Sequence, residues 1–171
     1  MTKRQFSATL IIGLVGTNVL VAQDARIPPT RVSERLAIVS SLDQEAFKAG
    51  TPVPLKIAAR NVHTKPVQIM IQSAEFDYKL TVFDESGNEL TRTDFGKWLV
   101  ERERGGSRFR LTLEPKEEHL SSLDLAKIYR LTKPGTYFAR LERVVPQQTA
   151  QDAQNFVERT YSWPIRFRIV E

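Results

Sequence analysis

The sequence predicts an all-β protein, an antiparallel β-sandwich of about seven to eight strands. Short segments alternate apolar with polar residues, and turn-forming residues separate these segments. No stretch keeps apolar residues at helical spacing for about three turns. Because successive side chains of a strand point to opposite faces, each alternating segment has one face for a core and one for solvent. Two layers of such strands bury their apolar faces against each other.

The alternation is clearest where Val53, Leu55 and Ile57 share one parity and Lys56 and Arg60 take the other. The same period of two recurs along the chain, and it defines the predicted strands. In chain order these lie at residues 36–38, 53–59, 67–71, 76–82, 109–113, 123–125, 137–141 and 163–169.

The inward parity of the strands predicts the core. Trp163 is placed inside because it lies two residues before Ile165 on the same strand, and Phe109 shares the parity of Leu111. The residues expected to form the core are Leu55, Ile57, Ile69, Tyr78, Leu80, Leu111, Tyr137, Leu141 and Ile165.

Two segments break this rhythm. Residues 95–103 mix aromatic and charged side chains, and they fit either an irregular strand or a helical turn. Residues 145–160 are polar and rich in glutamine, which predicts a long loop between the last two strands. Within it, Thr149 and Asp152 have the spacing that caps a short helix.

Residues 84–89 (DESGNE) concentrate acidic and polar residues at the end of a predicted strand. A calcium loop is one interpretation, but Glu89 stands where such a loop needs glycine and Phe95 where it needs a bidentate glutamate. Gly87 and Asn88 tolerate the positive φ of a tight reversal. The segment therefore predicts a hairpin turn.

The N-terminus has the pattern of a secretory signal peptide. Lys3 and Arg4 precede an apolar run over residues 6–22, and no acidic residue occurs before Asp24. The alternative, an uncleaved single-helix anchor, is less favoured because the run is short and contains glycine and asparagine. We expect a signal peptide over residues 1–23, export to the periplasm or the extracellular space, and no stable membrane span after cleavage.

The remaining chain is expected to form one domain. The length of 171 residues suits a single domain with a removable end. Residues 24–34 contain two adjacent prolines and few apolar residues, so they predict an extended lead-in. The sandwich itself is then expected over residues 35–171.

Composition excludes several classes of function. Cysteine is absent, which removes disulfides, thiolate metal sites and cysteine nucleophiles. The net charge of +5 includes Lys3 and Arg4, so the mature chain carries +3. Nucleic-acid binders carry a stronger and more clustered positive charge. We expect no nucleic-acid partner.

Catalytic and metal-binding motifs are missing from the sequence. His63 and His119 lie far apart and outside any zinc-binding motif, and they are interpreted as exposed loop residues. The segment Gly105-Gly106-Ser107 lacks the closing glycine of a nucleophile elbow. We therefore expect neither a cofactor nor a metal, and an enzyme is the least favoured class.

Arginines and aromatics supply the candidate binding residues. Two strands each place a pair of arginines outward, Arg108 with Arg110 and Arg166 with Arg168. If those strands are neighbours, the pairs form a patch for an anionic polysaccharide or an acidic protein. The favoured interpretation is ordinary solvated charge that discourages edge-to-edge association. Trp98 and Phe156 are the aromatic candidates for stacking on sugars, unless they pack beneath loops.

The segment from Leu131 to Leu141 (LTKPGTYFARL) resembles the entry to the penultimate strand of immunoglobulin-like domains. The resemblance implies that the Tyr137 hydroxyl bonds back to the chain at this corner. Ala139 stands where antibody-type domains have their second cysteine, so the chain looks like a disulfide-free bacterial relative. From about residue 50 to 141 the motifs are also similar to bacterial immunoglobulin-like domains grouped with an intracellular proteinase inhibitor, and to uncharacterised exported proteins.

These observations predict an exported, non-catalytic binding or scaffolding module of the bacterial cell envelope, with an immunoglobulin-like fold. Its expected partner is an envelope protein or a glycan, with the loop at residues 145–160 as a contact. A proteinase inhibitor acting through an exposed loop is the first alternative. An enzyme with His63 or His119 beside carboxylates in a pocket is the second.

Overall fold

The computed structural model describes residues 30–101, 107–146 and 157–171. Two packed layers of strands in these ranges confirm the predicted all-β, immunoglobulin-like sandwich. The elements are β1 (Thr30–Val32), β2 (Leu36–Leu42), β3 (Ala46–Lys48), β4 (Pro54–Asn61), β5 (Val67–Ile71), α1 (Ala74–Asp77), β6 (Lys79–Asp84), α2 (Asp94–Glu101), β7 (Phe109–Leu113), β8 (Glu118–Asp124), α3 (Leu125–Ile128), β9 (Gly135–Val145), β10 (Val157–Tyr161) and β11 (Ile165–Val170).

The larger sheet is organised around β9, an 11-residue strand. Its hydrogen-bonded order is β1-β10-β9-β11-β3, and β6 pairs with the other side of β9. Strands β10 and β11 follow each other along one side of β9, both antiparallel to it. The outermost strands β1 and β3 pair in parallel with β10 and β11.

The smaller layer contains the antiparallel sheet β2-β4-β8 and the antiparallel pair β5-β7. Asn61 joins the two parts from a fully buried position at the end of β4. Its side-chain amide donates to the carbonyl oxygens of Leu113 (2.8 Å) and Lys65 (2.9 Å). A buried amide with its donors satisfied in this way ties the pair β5-β7 to the end of β4.

The core lies between the layers and follows the predicted parity. Seven of the nine expected core residues are buried, whereas Leu111 and Ile165 are only partly buried. Phe109, which shares their parity, is 65% exposed. It pairs with Ile71 at the end of the β5-β7 ladder, past the buried residues of that cluster, so its outward position has a simple cause.

Three strands were not expected. Thr30–Val32 belongs to the predicted lead-in but forms β1 on β10, and Ala46–Lys48 forms β3 on β11. Residues 157–160, assigned to the predicted loop, belong to β10. β1 and β3 are short parallel edge strands that the neighbouring strand holds, so their own sequence carries little of the alternating pattern.

Three short helices also modify the predicted elements. Helix α1 precedes β6, so the fourth predicted strand begins at Lys79 and not at Phe76. Of the two interpretations of residues 95–103, the helical one is correct over the described part, as α2. Leu125 begins α3 and does not continue a strand. Within the described ranges no helix combines the length and apolar character needed to cross a bilayer.

The two predicted corners are confirmed. Gly87 adopts φ +82° in the reversal after β6, and the Leu90 N–H donates to the Val82 carbonyl oxygen (2.9 Å). At the start of β9, the Tyr137 hydroxyl donates to the Lys133 carbonyl oxygen (2.8 Å). The tyrosine therefore pins the corner as the resemblance to immunoglobulin-like domains implies.

Candidate binding face

A β-bulge separates β10 from β11 at residues 162–164. Tyr161 lies opposite Glu142, and Ile165 lies opposite Ala139. From Tyr161 to Ile165 the chain advances by four residues, whereas β9 advances by only three, from Glu142 to Ala139. One extra residue therefore lies in the bulge. An extra residue reverses which parity points outward, so odd-numbered residues point outward in β10 and even-numbered ones in β11.

The bulge places Trp163 in solvent. Ser162 keeps the inward position, since its N–H donates to the Leu141 carbonyl oxygen (2.9 Å) and its hydroxyl accepts the Leu141 N–H (3.0 Å). Trp163 and Pro164 then share the outward place opposite Arg140, and Trp163 is 90% exposed. The prediction that Trp163 lies in the core is therefore wrong, because it assumed an unbroken period of two.

The outward side chains of β6, β9 and β11 lie in rows, because residues paired in antiparallel strands share a face. Reading across from β6 through β9 to β11, three neighbouring rows are, in spatial order, Thr81–Arg140–bulge, Phe83–Phe138–Arg166 and, on β9 and β11 alone, Thr136–Arg168. We call the surface formed by Phe83, Phe138, Arg140, Trp163, Arg166 and Arg168 the arginine–aromatic face.

The floor of this face is a stacked aromatic pair. The rings of Phe83 and Phe138 are inclined by 13° with centroids 5.6 Å apart, and both side chains are half-buried. Stacking of this kind holds both rings in one orientation. The exposed guanidinium of Arg166 lies in the same row, at the edge of this floor.

The arginines of the face carry charge that the described part of the protein does not neutralise. Arg140, Arg166 and Arg168 are exposed, and no described acidic side chain pairs with them. The nearest outward acid on β9 is Glu142, whose carboxylate already contacts Arg159 and lies 3.9 Å from Lys79. Within the described residues, the face therefore has a net positive charge that suits an anionic partner.

The spacing of these arginines follows from sheet geometry. Arg166 and Arg168 are two residues apart on β11, a distance of roughly 6.4–6.8 Å along the strand. Arg140 is the diagonal neighbour of Arg166, which gives a separation of roughly 7–8 Å. A shallow cavity of about 100 Å³ lies between Arg166 and Arg168, with Glu45 at its rim.

The two predicted arginine pairs lie on different parts of the sandwich. Arg110 is on β7, which pairs with β5, and Arg108 is the residue just before β7. Arg166 and Arg168 are on β11, whose neighbours are β9 and β3. The two strands are not neighbours, so the four arginines do not form the single patch considered above.

A separate cavity lies beside Arg110 on β7. Arg110 lines a volume of about 330 Å³ together with Arg35, Gln68, Met70 and Pro146. Arg35, however, forms an ion pair with Glu158. The cavity therefore offers one uncommitted guanidinium and no convergent set of polar groups.

Of the aromatic candidates, Trp98 is 41% exposed on α2. Its ring packs against Phe76 (centroids 6.1 Å apart) and Phe95 (5.5 Å), so it belongs to a small aromatic cluster between helices. This is the packing alternative considered from the sequence. Phe156 lies outside the described residues.

A second cavity of about 330 Å³ lies between α1, β6 and α2, beside a network centred on Tyr129. The buried Tyr129 hydroxyl donates to the Glu89 carboxylate (2.8 Å), and Arg92 contacts the same carboxylate (2.7 Å). Burial and the bond to Glu89 raise the pKa of Tyr129. Burial also raises the pKa of Glu89, but the hydrogen bonds from Tyr129 and Arg92 outweigh it and lower that pKa overall. Each group in the network has a partner, which fits a structural role.

The histidines are not gathered into a site. His63 lies in the connection after β4, where its Nδ1 accepts the Lys65 N–H (3.2 Å). His119 lies on β8 opposite Ala59 and is half-buried, so its assignment to a loop is corrected. Among the described residues, no group of three side chains is arranged to hold a metal ion.

Sequence reasoning missed four residues of the face. Within residues 137–141, Phe138 and Arg140 have the parity that points away from the core, and Phe83 has the outward parity in its own strand. A signal for these three was therefore present. Trp163 has none, since a single sequence does not show where a strand inserts one residue.

Comparison with known proteins gives no family. No protein-family model matches the chain, and no curated protein matches it in sequence. Three solved structures show the level of structural likeness. A CARDB domain from Pyrococcus furiosus has 13% identity and a TM-score of 0.39, with 80% of this chain and 94% of that chain covered.

The other two are as distant. A sporulation control protein of Bacillus subtilis has 14% identity and a TM-score of 0.40, with 81% of this chain and 51% of that chain covered. A PapD-like domain of human CEP192 has 12% identity and a TM-score of 0.33, with 98% and 99% covered. Likeness at this level carries no argument about what the chain does.

Proposed function

We propose that the protein is a non-catalytic binding module of the bacterial cell envelope and that the arginine–aromatic face is its binding surface. One observation carries this proposal: three exposed arginines without acidic partners in the described chain lie beside a tryptophan that is 90% exposed. Arginine and tryptophan are the residue types most enriched where partners bind tightly.

The shape of the face supports binding over catalysis. Its residues lie on three paired strands of a regular sheet, so the surface is preformed and open. Catalysis needs a nucleophile or base in an enclosed site. The outward acid on β9, Glu142, contacts Arg159 and lies 3.9 Å from Lys79. Glu45 lines the shallow cavity beside the arginines of β11. Such a surface binds a ligand without an evident group to transform it.

The location follows from the N-terminal segment. The signal-peptide pattern over residues 1–23 supports export to the periplasm or the extracellular space. Partners reached there are envelope proteins and glycans.

The proposal is tested by reversing the charge of the face. The variant Arg140→Glu/Arg166→Glu/Arg168→Glu is compared with the parent for co-sedimentation with purified envelope fragments at physiological salt. The matched control Lys56→Glu/Arg60→Glu/Lys65→Glu changes the same charge at exposed positions of the other layer. We expect the parent and the control to be retained and the face variant to be lost, with the three proteins melting alike. Equal retention of the face variant would refute the proposed binding surface.

A further inference from the structure

Resting on the proposed function, we propose that the arginine–aromatic face binds an anionic polysaccharide whose charged groups are carboxylates, as in a chain of uronic acids. Three observations support it: the repeat of the arginines, the exposed position of Trp163 and the threonine hydroxyl groups beside the arginines.

The arginines match a polymer with regularly repeated carboxylates. A guanidinium forms two parallel N–H···O bonds with one carboxylate, and its planar fork fixes the orientation of that group. Arg166 and Arg168 point outward at adjacent positions of one face of β11, and Arg140 extends the array across to β9. One extended chain of acidic sugars can therefore contact the three guanidinium groups in register.

Trp163 supplies an apolar plane beside this charge. The bulge sets Trp163 and Pro164 opposite Arg140, and the indole is exposed without a ring partner in the described structure. Large aromatic rings with one polar atom suit ligands that are apolar on one side and polar at the edge. A pyranose ring has this character, with C–H groups on its face and hydroxyls around its rim.

Two threonine hydroxyl groups lie beside the arginines and complete the polar surface. Thr81 pairs with Arg140, and Thr136 pairs with Arg168, so both threonines lie in the rows of the face. A threonine hydroxyl both donates and accepts, which suits the hydroxyls of a sugar. Half-buried positions in a regular strand hold these side chains in place.

A protein is the alternative partner, because aromatic residues and arginine are enriched at the centre of protein–protein interfaces. The stacked pair Phe83–Phe138 lies in one row with Arg166, and Arg140 and Arg168 lie in the rows on either side. We favour a linear acidic polymer because the guanidinium groups recur along β11 and across to β9 and do not form a single anchor. A membrane surface would require more exposed apolar side chains than Trp163 alone.

The test compares four probes in binding titrations with the purified protein: polygalacturonate, neutral dextran of matched length, poly-L-glutamate, and vesicles containing phosphatidylglycerol. We expect polygalacturonate to bind in a salt-dependent manner, and the triple arginine variant described above to lose this binding. Trp163→Ala should weaken it about tenfold. Trp98→Phe is the matched control and should bind as the parent does.

The other outcomes separate the two proposals. If poly-L-glutamate or the vesicles bind as tightly as polygalacturonate and Trp163→Ala has no effect, the polysaccharide assignment is overturned and the binding face stands. The same conclusion follows if polygalacturonate does not bind but envelope retention depends on the arginines. If envelope retention does not depend on the arginines, both proposals fail.

Discussion

Gly96 on α2 lies so close to Ile128 that a Cβ atom on the glycine would stand 2.2 Å from the Ile128 carbonyl oxygen. The Thr93 N–H, at the start of the same helix, donates to that oxygen (2.9 Å), and the Thr93 hydroxyl donates to the Lys127 carbonyl oxygen (2.6 Å). Helices α2 and α3 thus meet through backbone contacts that leave no room for a side chain.

Substitution of Gly96 by alanine should therefore destabilise the protein. The added methyl group must displace backbone, and we expect a loss of about 1–3 kcal/mol despite the better helix propensity of alanine. Urea unfolding measures the change. Lys97→Ala, at the next and exposed position of α2, should leave the midpoint nearly unchanged. A Gly96→Ala variant as stable as the parent would contradict this packing.

Tyr137→Phe removes the hydrogen bond to the Lys133 carbonyl oxygen, which is 2.8 Å long. We expect a loss of about 0.5–1 kcal/mol, at the lower end for a hydrogen bond because water can reach this corner. Thermal unfolding should show it. Tyr161→Phe removes a hydroxyl from a more exposed tyrosine on the same sheet and should have no measurable effect. Equal melting of the two variants would show that the corner bond contributes nothing.

Glu158→Gln tests a largely buried ion pair. Glu158 on β10 forms an ion pair with Arg35, the residue just before β2, and Arg35 also donates to the Pro146 carbonyl oxygen (3.0 Å). The pair therefore joins the two layers. Removing the acid leaves a largely buried guanidinium uncompensated, and we expect a loss of about 3 kcal/mol. The matched control Asp43→Asn breaks the exposed pair with Lys56 and should cost less than about 1 kcal/mol. Chemical denaturation of both variants distinguishes these values.

Glu89 should contribute stability that depends on pH. The hydrogen bonds from Tyr129 and Arg92 outweigh burial and lower its pKa in the folded state. Its stabilisation is therefore complete above the ordinary value of 4.5 and is lost as the pH falls through the folded-state pKa. The contribution stays below about 1 kcal/mol because the side chain is 49% exposed and water screens it.

The measurement is the melting temperature of the parent and of Glu89→Gln between neutral and acidic pH. We expect the variant to be less stable at neutral pH and the gap to close below the ordinary pKa of the glutamate. Glu85→Gln, in the neighbouring turn, is the control for loss of one negative charge. A gap that persists unchanged in acid would contradict the proposed bonds.

Export should leave a mature chain that begins at Asp24. Expression of the full sequence in a bacterial host, followed by fractionation and intact mass measurement, tests this expectation. A protein lacking residues 1–23 in the periplasm or the medium agrees with it. An uncleaved chain in the membrane fraction would favour the anchor, and replacing Leu14 by arginine to interrupt the apolar run should abolish export in either case.

The sequence predicts those elements whose own side chains determine them. The strands β4 and β9 have one buried parity throughout, because the core touches one face of each and solvent the other. Tyr137 was identified by its place after a turn, and the reversal at Gly87 by its residue types. Local chemistry was sufficient in these cases.

Elements that depend on distant partners were not predictable. β1 and β3 exist as strands because β10 and β11 offer unpaired edges to them. Part of the candidate site falls in the same category. Arg166 and Arg168 were found from parity, whereas their grouping with Arg140 and Trp163 requires knowing that β11 pairs with β9 and that a bulge precedes it.

The extra residue between Tyr161 and Ile165 lets the face change independently of the interior. Deleting Trp163 would leave three steps on each strand, so Tyr161 would stay opposite Glu142 and Ile165 opposite Ala139, and no buried side chain would turn outward. The interior therefore does not depend on the length of this segment, and the side chain at position 163 touches little of it. Ligand preference can change at that one codon without a penalty in folding.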